Sequence, residues 1–207
     1  VSRDDQVYLS WDHPIVTGCI EQLLGSHEGT TSFSIWETDG NPVLLLETVF
    51  VLECLAPSKL HADRFLPPTP VRVVVNHQGK PALGEDGRFV TLPDSTSSGP
   101  PHVIAEIGQI RNLIGPMSKA AEKLAGGQIE KMKTLATKSM SNSLSEEISR
   151  LETLAKVNEN VREDEINSLK KELNALEHSL TQSRSRIDSV RLIWKGPKTK
   201  LQELANS

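Results

Sequence analysis

Residues 43–55 read VLLLETVFVLECL, and this stretch decides how the chain is built. A strand alternates its side chains between two faces. One face here is Leu44, Leu46, Thr48, Phe50, Leu52 and Cys54; the other is Val43, Leu45, Glu47, Val49, Val51, Glu53 and Leu55. Both are largely apolar, which predicts a central strand covered on both sides. Upstream, TTSFSIW (30–36) alternates with Phe33 and Ile35 on one side, and the Asp-Gly signal in ETDGNP (37–42) predicts a hairpin joining the two strands. Downstream, RFLPPTPVRVVVN (64–76) sets three prolines ahead of a valine run. Proline fixes φ and restricts the residue before it, so the stretch is expected to stiffen the approach to a strand at Val71–Val75 along a sheet edge. NHQGK and GEDG mark further turns, and the whole reads as an antiparallel meander. Before it, Asp12 and Pro14 predict the start of a short helix that ends at Gly25.

Residues 93–101, PDSTSSGPP, form a polar break, after which the apolar period changes from two to about 3.6. The helices expected are 102–114, stopped by Gly115-Pro116; 117–157, with a weak point at Gly126-Gly127; and 161–183. Ile166, Leu169, Leu173, Leu176 and Leu180 step by three and four, as do Leu144, Ile148, Leu151 and Ala155. A short NENVRE connection between them predicts an antiparallel helical hairpin, with Asn160 and Glu163 as a capping box. RIDSVRLIWKG then alternates as a strand returning to the sheet, with Ile187, Ser189, Arg191 and Ile193 on one face. The fold class is α+β, a mainly antiparallel sheet with packed helices and a long projecting antiparallel helical hairpin. Its expected divisions are a strand-rich core (1–92), a flexible connection (93–101), a helical region with the returning strand (102–196) and a tail (197–207).

The 207 residues carry a net charge of −4, but 1–100 hold 6 Lys/Arg against 13 Asp/Glu while 101–207 hold 17 against 14. That is not the basic stripe of a stand-alone nucleic-acid binder. The longest apolar stretch is cut by Glu47 and Glu53, so no bilayer-spanning segment is expected. Cys19 and Cys54 form no CxxC and are read as free thiols of a cytoplasmic protein, and Val1 as the start of a piece from a longer chain. The sequence contains no phosphate loop, no G-x-G-x-x-G and no G-x-S-x-G. The six histidines (13, 27, 61, 77, 102, 178) lack metal-ligand spacing. Glu47 and Glu53 stand about 20 Å apart at ~3.3 Å per residue, beyond the roughly 5–9.5 Å of a glycosidase pair. They are expected to meet arginines such as Arg64 or Arg72. No catalytic, cofactor-binding or metal-binding residue is assigned. The candidates for contact with nucleic acid are Arg184, Arg186, Arg191 and Lys195, with Trp194 either stacking on bases or held in the core.

WDHPIVTGCIEQLL, LLLETVFVLECLAPSKLHADRFLPPTPVRVVV, SEEISRLETLAKVNENVREDEINSLKKEL and RIDSVRLI together resemble the C-terminal region of the RapA family. These are bacterial RNA polymerase-associated, Swi/Snf-type ATPases that recycle RNA polymerase in transcription. The resemblance runs from about Arg3 to Ile193. It implies that ATP hydrolysis, with ATP and Mg, belongs to motor domains upstream and that this piece needs no cofactor. It implies partners in the RNA polymerase core and the upstream ATPase domains of the same chain, with nucleic acid reached through the parent, and no membrane. Two roles follow, contacting the polymerase or positioning the motor; the alternative is a nucleic-acid-binding module built on the basic C-terminal segment.

Overall fold

The computed structural model describes residues 31–99, 108–158 and 160–205. The helix expected over Asp12–Gly25, with Cys19, His13, His27 and His102, lies outside them. Five strands, β1 (Thr31–Trp36), β2 (Val43–Glu53), β3 (Thr69–Asn76), β4 (Ser97–Ser98) and β5 (Arg184–Lys195), form one sheet in the order β3-β2-β5-β1-β4. Two short 3₁₀ turns, Ser58–Leu60 and Ala62–Arg64, lie between β2 and β3. Three helices complete the fold: α1 (Gly108–Ala155), α2 (Glu163–Thr181) and α3 (Lys198–Ala205).

The returning strand is the middle of the sheet. β5 pairs antiparallel with β2 along its length and parallel with β1 over Val190–Lys195. The hairpin expected between β1 and β2 is therefore absent, because β5 lies between them. Two strand spacings of about 4.8 Å each must be crossed by the loop 37–42, and the Asp-Gly signal marks a bend in that crossing rather than a two-residue turn. The loop closes over Gly196: an added Cβ there would lie 2.9 Å from Pro42 Cα, and φ is 153°. Only glycine fits that approach.

β2 is central as expected, but its two faces differ. Leu44, Leu46, Thr48, Phe50 and Leu52 are buried against α1 with Val71, Val73 and Val75 of β3 and Leu192 and Trp194 of β5. Among the described residues the opposite face is covered only at one end. There Leu45, Val74 and Ile193 pack under Ala82, Phe89 and Val90 of the loop 77–92. That loop is held by the Asn76 side chain, which accepts from the backbone N–H of Gln78 and Lys80. β3 is an edge strand, and Pro70 lies within it opposite Val51. Within the polar stretch 93–101, expected as a flexible break, Ser97–Ser98 form β4 on β1 and Gly99 N–H donates to Phe33 O at 3.0 Å.

α1 runs without a break through Gly115-Pro116 and Gly126-Gly127, which corrects the expected stop at 115–116. Pro116 removes the donor to the carbonyl of Asn112, a loss of about 3 kcal/mol in a helix interior. Both residues are on the exposed side, where water can satisfy that carbonyl. Met117 and Ile110 are buried against the sheet, each contributing about 1.5–3 kcal/mol, which carries the helix through. Its buried seam is Ile110, Met117, Ala121, Ala125, Ile129, Ala136, Met140 and Leu144. The first part faces β2 and β3, and the second meets Leu176 and Leu180 of α2. Forty-eight residues make a helix of about 72 Å at ~1.5 Å per residue.

Candidate interaction surfaces

Among the described residues the charged sheet face around β5 and the turn end of the α1–α2 hairpin carry charge or exposed apolar groups in an organised way.

Directly opposed residues of a ladder point to the same side of a sheet. Arg184 stands opposite Glu53, Arg186 opposite Val51, Arg191 opposite Glu47 and Lys195 opposite Val43. All four cations therefore share the face of β2 that carries the two glutamates. Strict alternation along β5 would have split them, with 184 and 186 facing away from 191 and 195. A bulge resolves this. Ser189 pairs with Val49 and Ile187 with the next residue, Phe50, leaving Asp188 as an extra residue that reverses the parity. Ile187 is thereby carried to the Phe50 side, against its expected face, where it stays 45% exposed.

Bringing the cations together does not make a free basic patch, because the fold supplies partners. Glu47, with a side chain only 12% exposed, accepts from Arg72 Nε and lies 3.5 Å from Arg191 Nε. Arg72 also donates from Nη2 to Val90 O at 2.6 Å, tying the loop 77–92 to the sheet. Arg186 donates to Glu53 at 3.1 Å and to Asp188 at 3.1 Å. Its hydrogen bond to Glu53, helped by the charges of both acids, holds its guanidinium pKa above the usual arginine value. Lys195 Nζ sits 4.1 Å above the Trp36 ring. Arg184 is exposed. Trp194 is buried and donates from Nε1 to Pro197 O at 3.2 Å, so it is a core residue and not a stacking platform. The expectation that Glu47 and Glu53 meet arginines holds for Arg72 and extends to Arg186 and Arg191. Arg64 instead lies over the Phe65 ring.

At the other surface, α2 folds back along α1, with Lys170 bonded to Glu152 at 2.7 Å across the pair. Leu169 and Leu173 join the main core, whereas Ile148, Leu151 and the buried Ile166 lie beyond it. Ile148 and Leu151 of α1 and Ile166 of α2 thus form an arm beyond the core, while Leu169 and Leu173 still tie α2 to it. The hairpin turn is closed by backbone bonds from Val157 and Asn158 N–H to Leu154 O and from Val161 N–H to Asn158 O. The expected capping box is not formed. Arg162 is the N-cap, with no side-chain bond, and the first turn instead carries Glu163, Asp164 and Glu165, which complement the positive end of the helix dipole. On α1, Arg150 holds Glu147 through two hydrogen bonds, and the Glu147 carboxyl is lowered below its ordinary range chiefly by that bond.

Among the described residues no constellation for chemistry stands out. A 220 Å³ cavity lined by Leu44, Ile110, Leu113 and Trp194 has His77 as its one titratable neighbour among the described residues. Among the described residues no three His, Cys, Asp or Glu cluster as metal ligands, and no helix is long and apolar enough to cross a membrane.

Comparison with known proteins gives a consistent result. A family model described as RNA polymerase recycling family C-terminal matches residues 1–195. The chain is 31% identical over 196 residues to the RNA polymerase-associated protein RapA of Proteus mirabilis (strain HI4320), and 32% identical over 196 residues to that of Yersinia pestis (strain Pestoides F). In both, 93% of this chain is covered, and the match spans 20% of the relative's length.

Proposed function

The chain belongs to the RNA polymerase recycling family, as its C-terminal region, and from that premise we propose that it is a non-catalytic module that contacts RNA polymerase. The observation that carries this reading is the arm: toward the hairpin turn, Ile148, Leu151 and Ile166 lie outside the main core. A domain that only had to complete a core has no use for such an extension. A rigid helical arm with satisfied backbone hydrogen bonds can meet a partner without an ordering cost. In this reading the ATP-hydrolysing motor, with its ATP and Mg²⁺, lies outside the chain and the module works in a cytoplasmic transcription complex.

The test is direct. The 207-residue chain, immobilised, is expected to bind core RNA polymerase saturably. If it does not bind, direct docking is wrong, and bracing of the motor is the role left. Binding to nucleic acid through Arg184, Arg186, Arg191 and Lys195 is the weaker reading, since three of the four are engaged within the fold and Trp194 is buried. Affinity for RNA or DNA that falls steeply with salt would reverse that ranking.

A further inference from the structure

The outward side of α1 carries a row of cations that the packing of the fold does not use. The buried seam of this helix includes Met117, Ala121, Ala125, Ile129, Ala136 and Met140. A residue two positions from a seam residue is turned about 200° from it at ~3.6 residues per turn, so it stands on the opposite side of the helix. Lys119, Lys123, Gly127, Lys131 and Lys138 occupy such positions, and all are exposed. From Lys119 to Lys138 the ridge is about 28 Å long at ~1.5 Å per residue. Among the described residues none of its four lysines forms an ion pair, whereas Arg186 and Arg191 on the sheet face are held by Glu53 and Glu47. At Gly127 the ridge has no side chain, and an added Cβ would meet nothing within 4 Å, so a rigid chain can lie close along its centre.

The net charge of the chain conceals this row. Residues 108–142 hold six Lys/Arg against two Glu in a chain of net charge −4. Of the two acids, Glu130 is matched by Lys133 at 3.4 Å, and Glu122 stands beside Lys123. At the Lys138 end the ridge borders a groove between α1 and α2, where Thr137, Ser141 and Asn142 lie with Lys138, and where Glu130 and Glu177 also stand. Among the described residues the Thr137 and Ser141 hydroxyls and the Asn142 amide make no hydrogen bond within the fold, so they are free to donate to an anion. The chemistry selects phosphate. Lysine is depleted at protein interfaces, whose centres are apolar or aromatic, and the exposed Leu135 beside the ridge is a single side chain. Lying on a lipid surface needs an apolar face to insert, and that of α1 is buried in the core. Residues 108–142 contain no aromatic to stack on an unpaired base. A duplex offers regularly spaced phosphates to a straight row of ammonium groups.

We propose that the outward ridge of α1, made by Lys119, Lys123, Lys131 and Lys138, binds the phosphate backbone of a nucleic-acid duplex without reading its sequence. This goes beyond polymerase contact and does not depend on it, and it puts nucleic acid on α1 rather than on the β5 cations. The test follows the fluorescence anisotropy of labelled duplexes of about 20 base pairs, one DNA and one RNA, with the 207-residue chain at about 50 and 200 mM salt. The wild type is expected to bind one or both, with a slope of about −3 in log K against log salt, as three or four neutralised phosphates give. The variant Lys119→Gln/Lys123→Gln/Lys131→Gln/Lys138→Gln keeps the helix propensity. It is expected to bind about tenfold or more weakly at the lower salt and to lose most of the slope. A charge-matched control, Lys59→Gln/Lys156→Gln/Lys171→Gln/Lys200→Gln, changes four exposed lysines elsewhere and is expected to stay within about twofold of wild type, since distant charges are screened. Circular dichroism should show the same helix content in all three proteins. Failure of the wild type to bind at the lower salt, equal binding by the ridge variant, or an equal loss in the control overturns the proposal. Poly-L-glutamate that competes as well as unlabelled duplex at equal charge also overturns it, and makes the partner an acidic protein surface.

Discussion

The two halves of α1 are one continuous helix doing two different jobs. Between Ile110 and Ile129 its seam is small or unbranched: Met117, Ala121 and Ala125 lie against the sheet with the valines of β3 and the core face of β2. From Ala136 onward it meets a leucine-studded partner helix, and past Leu144 its contacts are only half buried. The sheet half is set by how closely a helix can approach a sheet, and the arm half by interdigitating side chains. The difference teaches that stability is concentrated at the root of the hairpin, where Leu176 and Leu180 join the main core, and thins toward the tip.

That gradient can be tested at four points, from the largest effect to the smallest. Leu180→Ala opens a cavity at a fully buried root position and should lower global stability by about 2–5 kcal/mol in chemical denaturation; a loss like that of a surface change would refute the gradient. Glu47→Ala leaves Arg72 and Arg191 without their shared acceptor on a half-covered face, and should cost about 1–3 kcal/mol. It should also speed hydrogen exchange in 77–92, since Arg72 braces that loop. Gly126→Ala with Gly127→Ala removes two helix-weakening residues where an added Cβ meets nothing within 4 Å. A gain of about 1 kcal/mol each, read as a higher melting temperature, is expected; a loss would mean that these glycines serve a close contact.

The smallest effect is at Glu147. Its carboxyl is lowered in the fold by Arg150, so the pair's contribution is present above the ordinary carboxylate pKa. It disappears as pH falls through the lowered folded value. Because the group is exposed, the effect is screened by solvent and salt. Glu147→Gln should flatten the arm's acid sensitivity slightly, by NMR titration of nearby amides, without moving the global transition.

Much of this was legible from local pattern. β2, β3 and β5 follow from runs of branched residues, and α2 from the leucine steps Ile166 to Leu180, because each pattern contains its own explanation. What was not legible depends on partners distant in sequence. An Asp-Gly turn between two strand patterns reads as a hairpin, and nothing near residue 40 reports that β5 will come between them. Likewise Pro116 carries a real helix-breaking cost, and only the burial of Met117 and Ile110 against the sheet offsets it. The parity of the basic residues was hidden for a third reason. Alternation counts residues, and the bulge at Asp188 adds one that only the pairing with β2 reveals.

The central position of β5 has a consequence for the order in which the molecule can assemble. β2 and β3 are neighbours in sequence and can pair as soon as both leave the ribosome. β1 and β2 share no neighbour except β5, which is completed only at Lys195. Until then the nascent chain holds β1 apart from the β2–β3 pair, with Leu46, Phe50 and Leu52 lacking their partners on β5. Pairing at this sequence separation is slow to close, and incomplete sheets expose edges that aggregate. Stalling translation anywhere before residue 184 should therefore leave a half-built sheet, and emergence of β5 should trigger its closure.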